Sequence, residues 1–281
     1  VTGAPFVLEA GASVEAQYDI PSDEWYFADN RQSDMPFAVL LEVALQPCGW
    51  LAAYCGSALT SDVDLKFRNL GGKAVQHLPV TNTTGTITVQ VKMTAVSNSG
   101  GMIIQHYHMA VHGSAGCIYE GTTYFGFFSK EALAEQVGIR EAVRYEPTDA
   151  ERACNAPFPY PDAAPFPDRE WGMVDEVHIF DPTGGPHGLG FIRGTMEVTP
   201  DTWFFQAHFY QDPVCPGSLG LESFVQLLKI VARERWGTDD NTVFETLALG
   251  EEHEWVYRGQ IIPTDERVTV DAVVTAVDDD Q

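Results

Sequence analysis

The chain carries the same text twice, and no other feature constrains its fold so tightly. Trp25 matches Trp203, Phe27 matches Phe205 and Asp34 matches Asp212, each at an offset of 178. Pro36, Leu41, Glu42 and Gln46 then match Pro216, Leu221, Glu222 and Gln226 at an offset of 180. Chance aligns one tryptophan easily, but not seven identities with a single two-residue gap. Further on, Thr94-Ala95-Val96 returns as Thr275-Ala276-Val277 at an offset of 181. Self-similarity at so long a period signals a duplicated domain, not a solenoid.

Each copy reads alike. A short strand ("ASVEAQYDI", "FIRGTMEV") precedes an aromatic stretch and then an apolar helix. The first helix is expected over about residues 36–57, buried on nearly all sides, with Pro47 kinking or breaking it. The second is expected over 217–236, stopped by Gly237. Two-residue alternation after each helix predicts strands ("TITVQVKMTAV", "GMIIQHYHMAVHG", "CIYEGTTYFGFF"; then "HEWVYRG", "RVTVDAVVTAV"). Ser129 is placed to cap a short helix ending at Gly138. A central helix against antiparallel sheet makes the class α+β. Residues 145–170 hold six prolines and read as a stiff linker. The expected domains are therefore 1–144 and 171–281 around that linker. By the repeat, the second copy is expected to continue past Gln281, through counterparts of Gly101 to Phe128.

Composition narrows the partners. The formal charge is −24, from 40 acids against 16 bases, which opposes nucleic acid and anionic membranes. No apolar run is read as a membrane span. Five scattered cysteines without a CxxC pair point to buried thiols in a reducing, cytoplasmic setting. The chain begins with Val1, as a piece excised from a longer protein would.

The stretch "HFYQDPVCPGSLGLE", His208 to Glu222, resembles the hot-dog β-hydroxyacyl-ACP dehydratases, including the bacterial β-hydroxydecanoyl-ACP dehydratase/isomerase. The shared features are a His-Phe, an Asp-Pro turn, a Pro-Gly and an acid fourteen residues after the histidine. "MPFAVLLEVALQPCGWLAAYCGSALTSD" followed by that stretch resembles the tandem dehydratase domains of polyunsaturated fatty acid synthases. The resemblance spans essentially the whole chain. It implies a double hot-dog, with two long helices, each wrapped by antiparallel sheet, related by a pseudo-twofold, and the sheets joined into one. It implies dehydration of 3-hydroxyacyl-ACP to 2-enoyl-ACP, with or without isomerisation, beside other synthase domains in cis. No cofactor and no metal are implied.

The chemistry suits the residues. A neutral imidazole, His208, takes the proton alpha to a thioester. A buried carboxylic acid protonates the departing hydroxyl. The Gly217 amide, behind Pro216 at a helix start, steadies the developing oxyanion. In the family the acid comes from the opposite hot-dog, so Glu42 is expected to serve His208 and Gly217. The mirrored position has Asn30 in place of histidine and Phe37 in place of glycine, so Glu222, itself a candidate acid, faces a decayed site. Gln46 and Gln226, one turn after each Glu, are expected to orient the acids, with Phe209 and Pro216 shaping the substrate site.

Rival readings are a non-catalytic acyl-chain-binding or scaffold pair, and a hot-dog thioesterase. The retained His208 opposes the first, and the "DPVxPGxLGLE" run opposes the second. His106, His108 and His112 read as surface strand residues, "PTGGPHGLG" (182–190) as a turn, and Cys215 as packing. Lys229, Arg233 and Arg235 form the nearest cationic cluster for docking a carrier protein.

Overall fold

The computed structural model describes residues 1–154 and 156–278. The helices are α1 (Trp25–Asn30), α2 (Phe37–Tyr54), α3 (Lys130–Ala134), α4 (Asp149–Ala153), α5 (Phe204–Ala207) and α6 (Gly217–Trp236). The strands are β1 (Ser13–Asp19), β2 (Lys66–Gln76), β3 (Thr86–Ser99), β4 (Met102–Gly113), β5 (Gly116–Phe128), β6 (Phe158–Pro159), β7 (Glu176–Asp181), β8 (Phe191–Glu197), β9 (Glu252–Val256) and β10 (Arg267–Val273). They form two compact units, each a long helix against antiparallel sheet, as the hot-dog expectation requires.

The units are not the two consecutive stretches suggested by the sequence. The first comprises Val1–Glu24, Ser33–Arg140 and Glu245–Gly259; the second takes Trp25–Gln32, Glu141–Phe244 and Gln260 onward. The aromatic stretch of copy one is thus built into the second unit, and a strand of copy two into the first.

In the first unit α2 packs on a six-stranded sheet ordered β1-β3-β4-β5-β2-β9. Leu41, Ala44, Cys48 and Leu51 of α2 are fully buried, as are Met93 and Met109 of the sheet. Pro47 neither breaks nor ends α2, which runs on to Tyr54 before a 3₁₀ turn at Ser57–Thr60. By length and composition, Phe37–Thr60 is apolar enough to cross a membrane, contrary to the sequence reading, yet 56% of that window is buried inside the protein. A core helix covered on most sides has the same composition as a span.

β9 pairs with β2 in a reciprocal register. Val256, the counterpart of Val75 at the offset of 181, pairs with Gly71; Glu252, the counterpart of Gly71, pairs with Val75. The strand therefore lies antiparallel to its own repeat. Glycine at 72 permits the approach: a Cβ there would meet the Trp255 ring at 2.5 Å and the Thr122 carbonyl oxygen at 2.6 Å.

In the second unit α6 packs on a four-stranded sheet ordered β10-β8-β7-β6. Leu227, Ile230 and Val231 of α6 meet Val177, Ile192, Val270 and Ala272 of the strands. Gly237 ends α6 with φ 76°, its amide donating to Arg233 O. The strands thus form two ladders, where one joined sheet was expected.

Residues 145–170 do more than link. Tyr160 and Phe166 enter the second unit's core. Helix α4 has a capping box between Thr148 and Glu151. Buried Glu151 also accepts from the Gly185 amide at 2.7 Å and from Tyr145 Oη at 2.8 Å, so it ties this segment to the glycine-rich turn after β7.

Candidate active site

His208 follows α5 directly, where its extended backbone (φ −132°, ψ 102°) ends that helix. The loop it opens is latched. The Val214 amide donates to His208 O at 2.7 Å, and the Phe209 and Asp212 amides exchange bonds with each other's carbonyls at 3.1 and 3.2 Å. His208 Nδ1 lies 2.8 Å from Val214 O. A carbonyl can only accept, so Nδ1 carries a proton, and in the neutral ring the lone pair that a base requires is then on Nε2. The imidazole is half-buried, and the half-buried Phe209 ring lies against it with centroids 3.7 Å apart.

Pro216 then caps α6 with φ −54° and ψ 132°, without a side-chain hydrogen bond. Gly217 opens the helix. The Leu219 and Gly220 amides turn back to Pro216 O. The first-turn amides of a helix have no intrahelical acceptor and carry the positive end of its dipole. His208 and Gly217 thus belong to one latched loop and helix start in the second unit.

Helix α2 begins in the same way on Pro36, with φ −54° and ψ 139° and again no side-chain cap. The repeat therefore extends to backbone geometry. Where α6 has Gly217, α2 has Phe37, 3% exposed, its ring edge-on to His253 at 5.1 Å. The glutamates also differ. Glu42 is half-buried on α2 in the first unit, and Gln46 one turn on is exposed. Glu222 is 1% exposed on α6. Gln226 orients it as expected: Nε2 donates to Glu222 Oε1 at 3.2 Å and to Trp171 O at 3.0 Å, while Oε1 accepts from the Met173 amide at 2.8 Å. Burial pushes the Glu222 carboxyl above its ordinary range, with Lys229 first among the opposing influences.

Lys229 is not a surface cation. It is 3% exposed, so it cannot belong to a docking patch with Arg233 and Arg235. Arg233 pairs with Glu234, and Arg235 donates to Leu189 O. The sequence held a signal for this: Lys229 lies seven residues after Glu222, two turns along one face of an apolar helix. His106 and His108 are exposed on β4, and Cys215 is buried as a packing residue should be. Among the described residues one group of metal-ligand type, His77, Cys117 and Glu120, has donor atoms within 4.8 Å of one another. His77 Nε2 already meets Glu120 Oε1 at 3.1 Å, and both residues are exposed. An ordinary surface ion pair accounts for that contact.

The FabA-like domain family matches residues 166–281, which hold His208, Gly217 and Glu222. A polyunsaturated fatty acid synthase polypeptide of Thraustochytrium sp. is 29% identical over 93% of the chain. The chain spans only 19% of that relative's length. Among solved structures, the fluoroacetyl-CoA thioesterase FlK aligns with 46% of this chain and 95% of its own at 10% identity and a TM-score of 0.36. A hot-dog-like protein from Thermanaerovibrio acidaminovorans aligns with 46% of this chain and 89% of its own, at 14% identity and a TM-score of 0.34. Likenesses that low decide nothing about chemistry. The two sequence matches do carry weight: residues 166–281 match the FabA-like domain family, and 93% of the chain is similar to a stretch of a polyunsaturated fatty acid synthase polypeptide.

Proposed function

We propose that the chain dehydrates 3-hydroxyacyl thioesters, delivered on an acyl carrier protein, to 2-enoyl thioesters within a multidomain polyunsaturated fatty acid synthase. The observation that carries this reading is the Nδ1 bond to Val214 O, which leaves His208 Nε2 as an acceptor beside a helix start without a side-chain cap. In this mechanism Nε2 takes the alpha proton. The C–H electrons form the new double bond as the beta C–O bond breaks, and its electrons leave with oxygen. The Gly217 amide stabilises the negative charge that develops on the thioester oxygen. Glu42, carried over on the family pattern, protonates the leaving hydroxyl, and water departs. A proton passed from imidazolium to carboxylate resets the pair. No step needs a cofactor.

The setting follows the synthase relative, and the other domains of such a synthase are the expected partners in cis. Both the chain and a typical carrier protein are acidic, so docking in trans is expected to be weak and tethering to supply effective concentration. The test is incubation of the purified chain with a 3-hydroxyacyl thioester and mass analysis of the products. Loss of one water supports the proposal. Hydrolysis of the thioester would make the protein a thioesterase, and an unchanged substrate would make it a binding or scaffold pair.

A further inference from the structure

Strand β5 breaks its alternation at Ile118. Cys117 pairs with His112 of β4 and Tyr119 pairs with Val111, so Ile118 is an extra residue between them. Ile118 and Tyr119 are both buried, although neighbours in a regular strand point to opposite faces. An extra residue of this kind is a bulge, and bulges re-aim side chains. Here Cys117 and Glu120, three residues apart, emerge on the same face, where regular pleating would part them.

The end of β2 meets the same bulge. The His77 amide donates to Ile118 O at 2.7 Å, and the Leu78 amide to the same oxygen at 3.4 Å. His77 is thereby fixed beside β5, with Nε2 3.1 Å from Glu120 Oε1. Donor atoms of His77, Cys117 and Glu120 all lie within 4.8 Å of one another. His112, opposite Cys117 in register, starts a second imidazole from the same face. All four residues belong to the first unit.

An ion pair explains the contact of His77 with Glu120, but not a thiol held beside it. A nucleophilic cysteine would need neighbours that favour its thiolate. Burial first, and then the Glu120 carboxylate, instead hold this thiol above its ordinary range. A dication reverses that balance. Thiolate and carboxylate together carry two negative charges, and a neutral imidazole adds a lone pair. Magnesium and calcium take oxygen ligands, whereas mixed sulfur, nitrogen and oxygen donors suit zinc and its neighbours in the first transition row. Three protein donors leave a tetrahedral ion one position for water.

We infer that His77, Cys117 and Glu120 form a binding site for a divalent transition-metal ion of the zinc kind, which clips the end of β2 to the bulge of β5. The site stands independently of the dehydratase reading.

The probe is cobalt(II), which reports thiolate ligation by a charge-transfer absorption, followed by zinc(II), which is colourless. The full chain, freed of metal with a chelator, should bind cobalt in equimolar amount with that absorption, and excess zinc should bleach it. Zinc at about a hundredfold over its dissociation constant should raise the thermal midpoint by on the order of 5 °C. Cys117→Ser should abolish the absorption, and His77→Gln and Glu120→Gln should each weaken cobalt binding at least about tenfold. Cys154→Ser, which removes an exposed thiol, should change nothing. His77 and Glu120 are exposed, so their variants keep the test decisive even where Cys117→Ser folds poorly. Absence of thiolate absorption in the folded parent would overturn the site, as would an absorption that survives Cys117→Ser or vanishes in Cys154→Ser. Cobalt binding unchanged in both His77→Gln and Glu120→Gln would reduce the site to a lone thiol and overturn it as well.

Discussion

Changing His208 to Asn gives the second copy what the first already carries at Asn30. The Asn side-chain amide can still donate to Val214 O, the acceptor now served by Nδ1 at 2.8 Å. At worst one half-exposed hydrogen bond is lost, about 1 kcal/mol of stability, or roughly 2–4 °C of melting temperature in a protein of this size. The catalytic loss is of another order. Removing a general base slows turnover by about 10²–10⁴-fold, which corresponds to about 2.7–5.5 kcal/mol on the barrier. The assay is initial-rate formation of enoyl thioester, with thermal melts of both proteins alongside. The expected result is a rate at least a hundredfold down in a protein that melts within a few degrees of the parent. Turnover within tenfold of the parent, in folded protein, would refute His208 as the base.

Glu42→Gln keeps the shape of the acid but cannot give up a proton, so the same assay should show a loss of about 10²–10⁴-fold. Glu151 is held at about 2, below its ordinary 4.5, first by the Gly185 amide. A depressed carboxylate contributes stability that is complete above 4.5 and lost as pH falls through about 2; urea midpoints of parent and Glu151→Gln should differ at neutral pH and converge across that window. Burial holds His253 at about 4, below 6.5, so its contribution is complete above 6.5 and lost as pH falls through about 4; His253→Leu should flatten the parent's acid slope there, as read by urea midpoints against pH. Gly72→Ala forces a methyl into the Trp255 ring and the Thr122 carbonyl, and should cost about 1–3 kcal/mol in urea unfolding.

The elements were legible in the sequence because they rest on local rules. Gly217, Pro216 and Gly237 mark α6 to the residue, and two-residue alternation finds β3, β4 and β5. Where the reading failed, tertiary packing had decided. Residues 145–170 look like linker because prolines interrupt them, but Tyr160 and Phe166 are drawn into a core that four strands alone do not close. Pro47 stays inside α2 because that helix is held from most sides by the sheet. The exchange of Trp25–Gln32 and of β9 leaves no local trace, since burial of an aromatic stretch does not say which core it joins. At the site, spacing put Gln226 one turn after Glu222, where the two side chains meet, whereas Gln46 is exposed. The fate of Lys229 was missed because a lysine late in a helix reads as surface until its neighbours are known.

Duplication within one chain explains how such an asymmetry can arise. In a symmetric dimer an Asn in place of His alters every site at once. In a tandem repeat the copies vary independently, so Asn30 and Phe37 leave His208 and Gly217 untouched. Glu222 is buried, however, and a buried carboxyl is costly unless it is neutral or matched by a counter-charge. Lys229 Nζ donates to Asn30 Oδ1 at 3.3 Å, an acceptor that a second imidazole could not offer in its protonated form. Glu222 is buried and its Oε1 accepts from Gln226 at 3.2 Å, contacts that a carboxyl in a core helix makes with or without a role in dehydration.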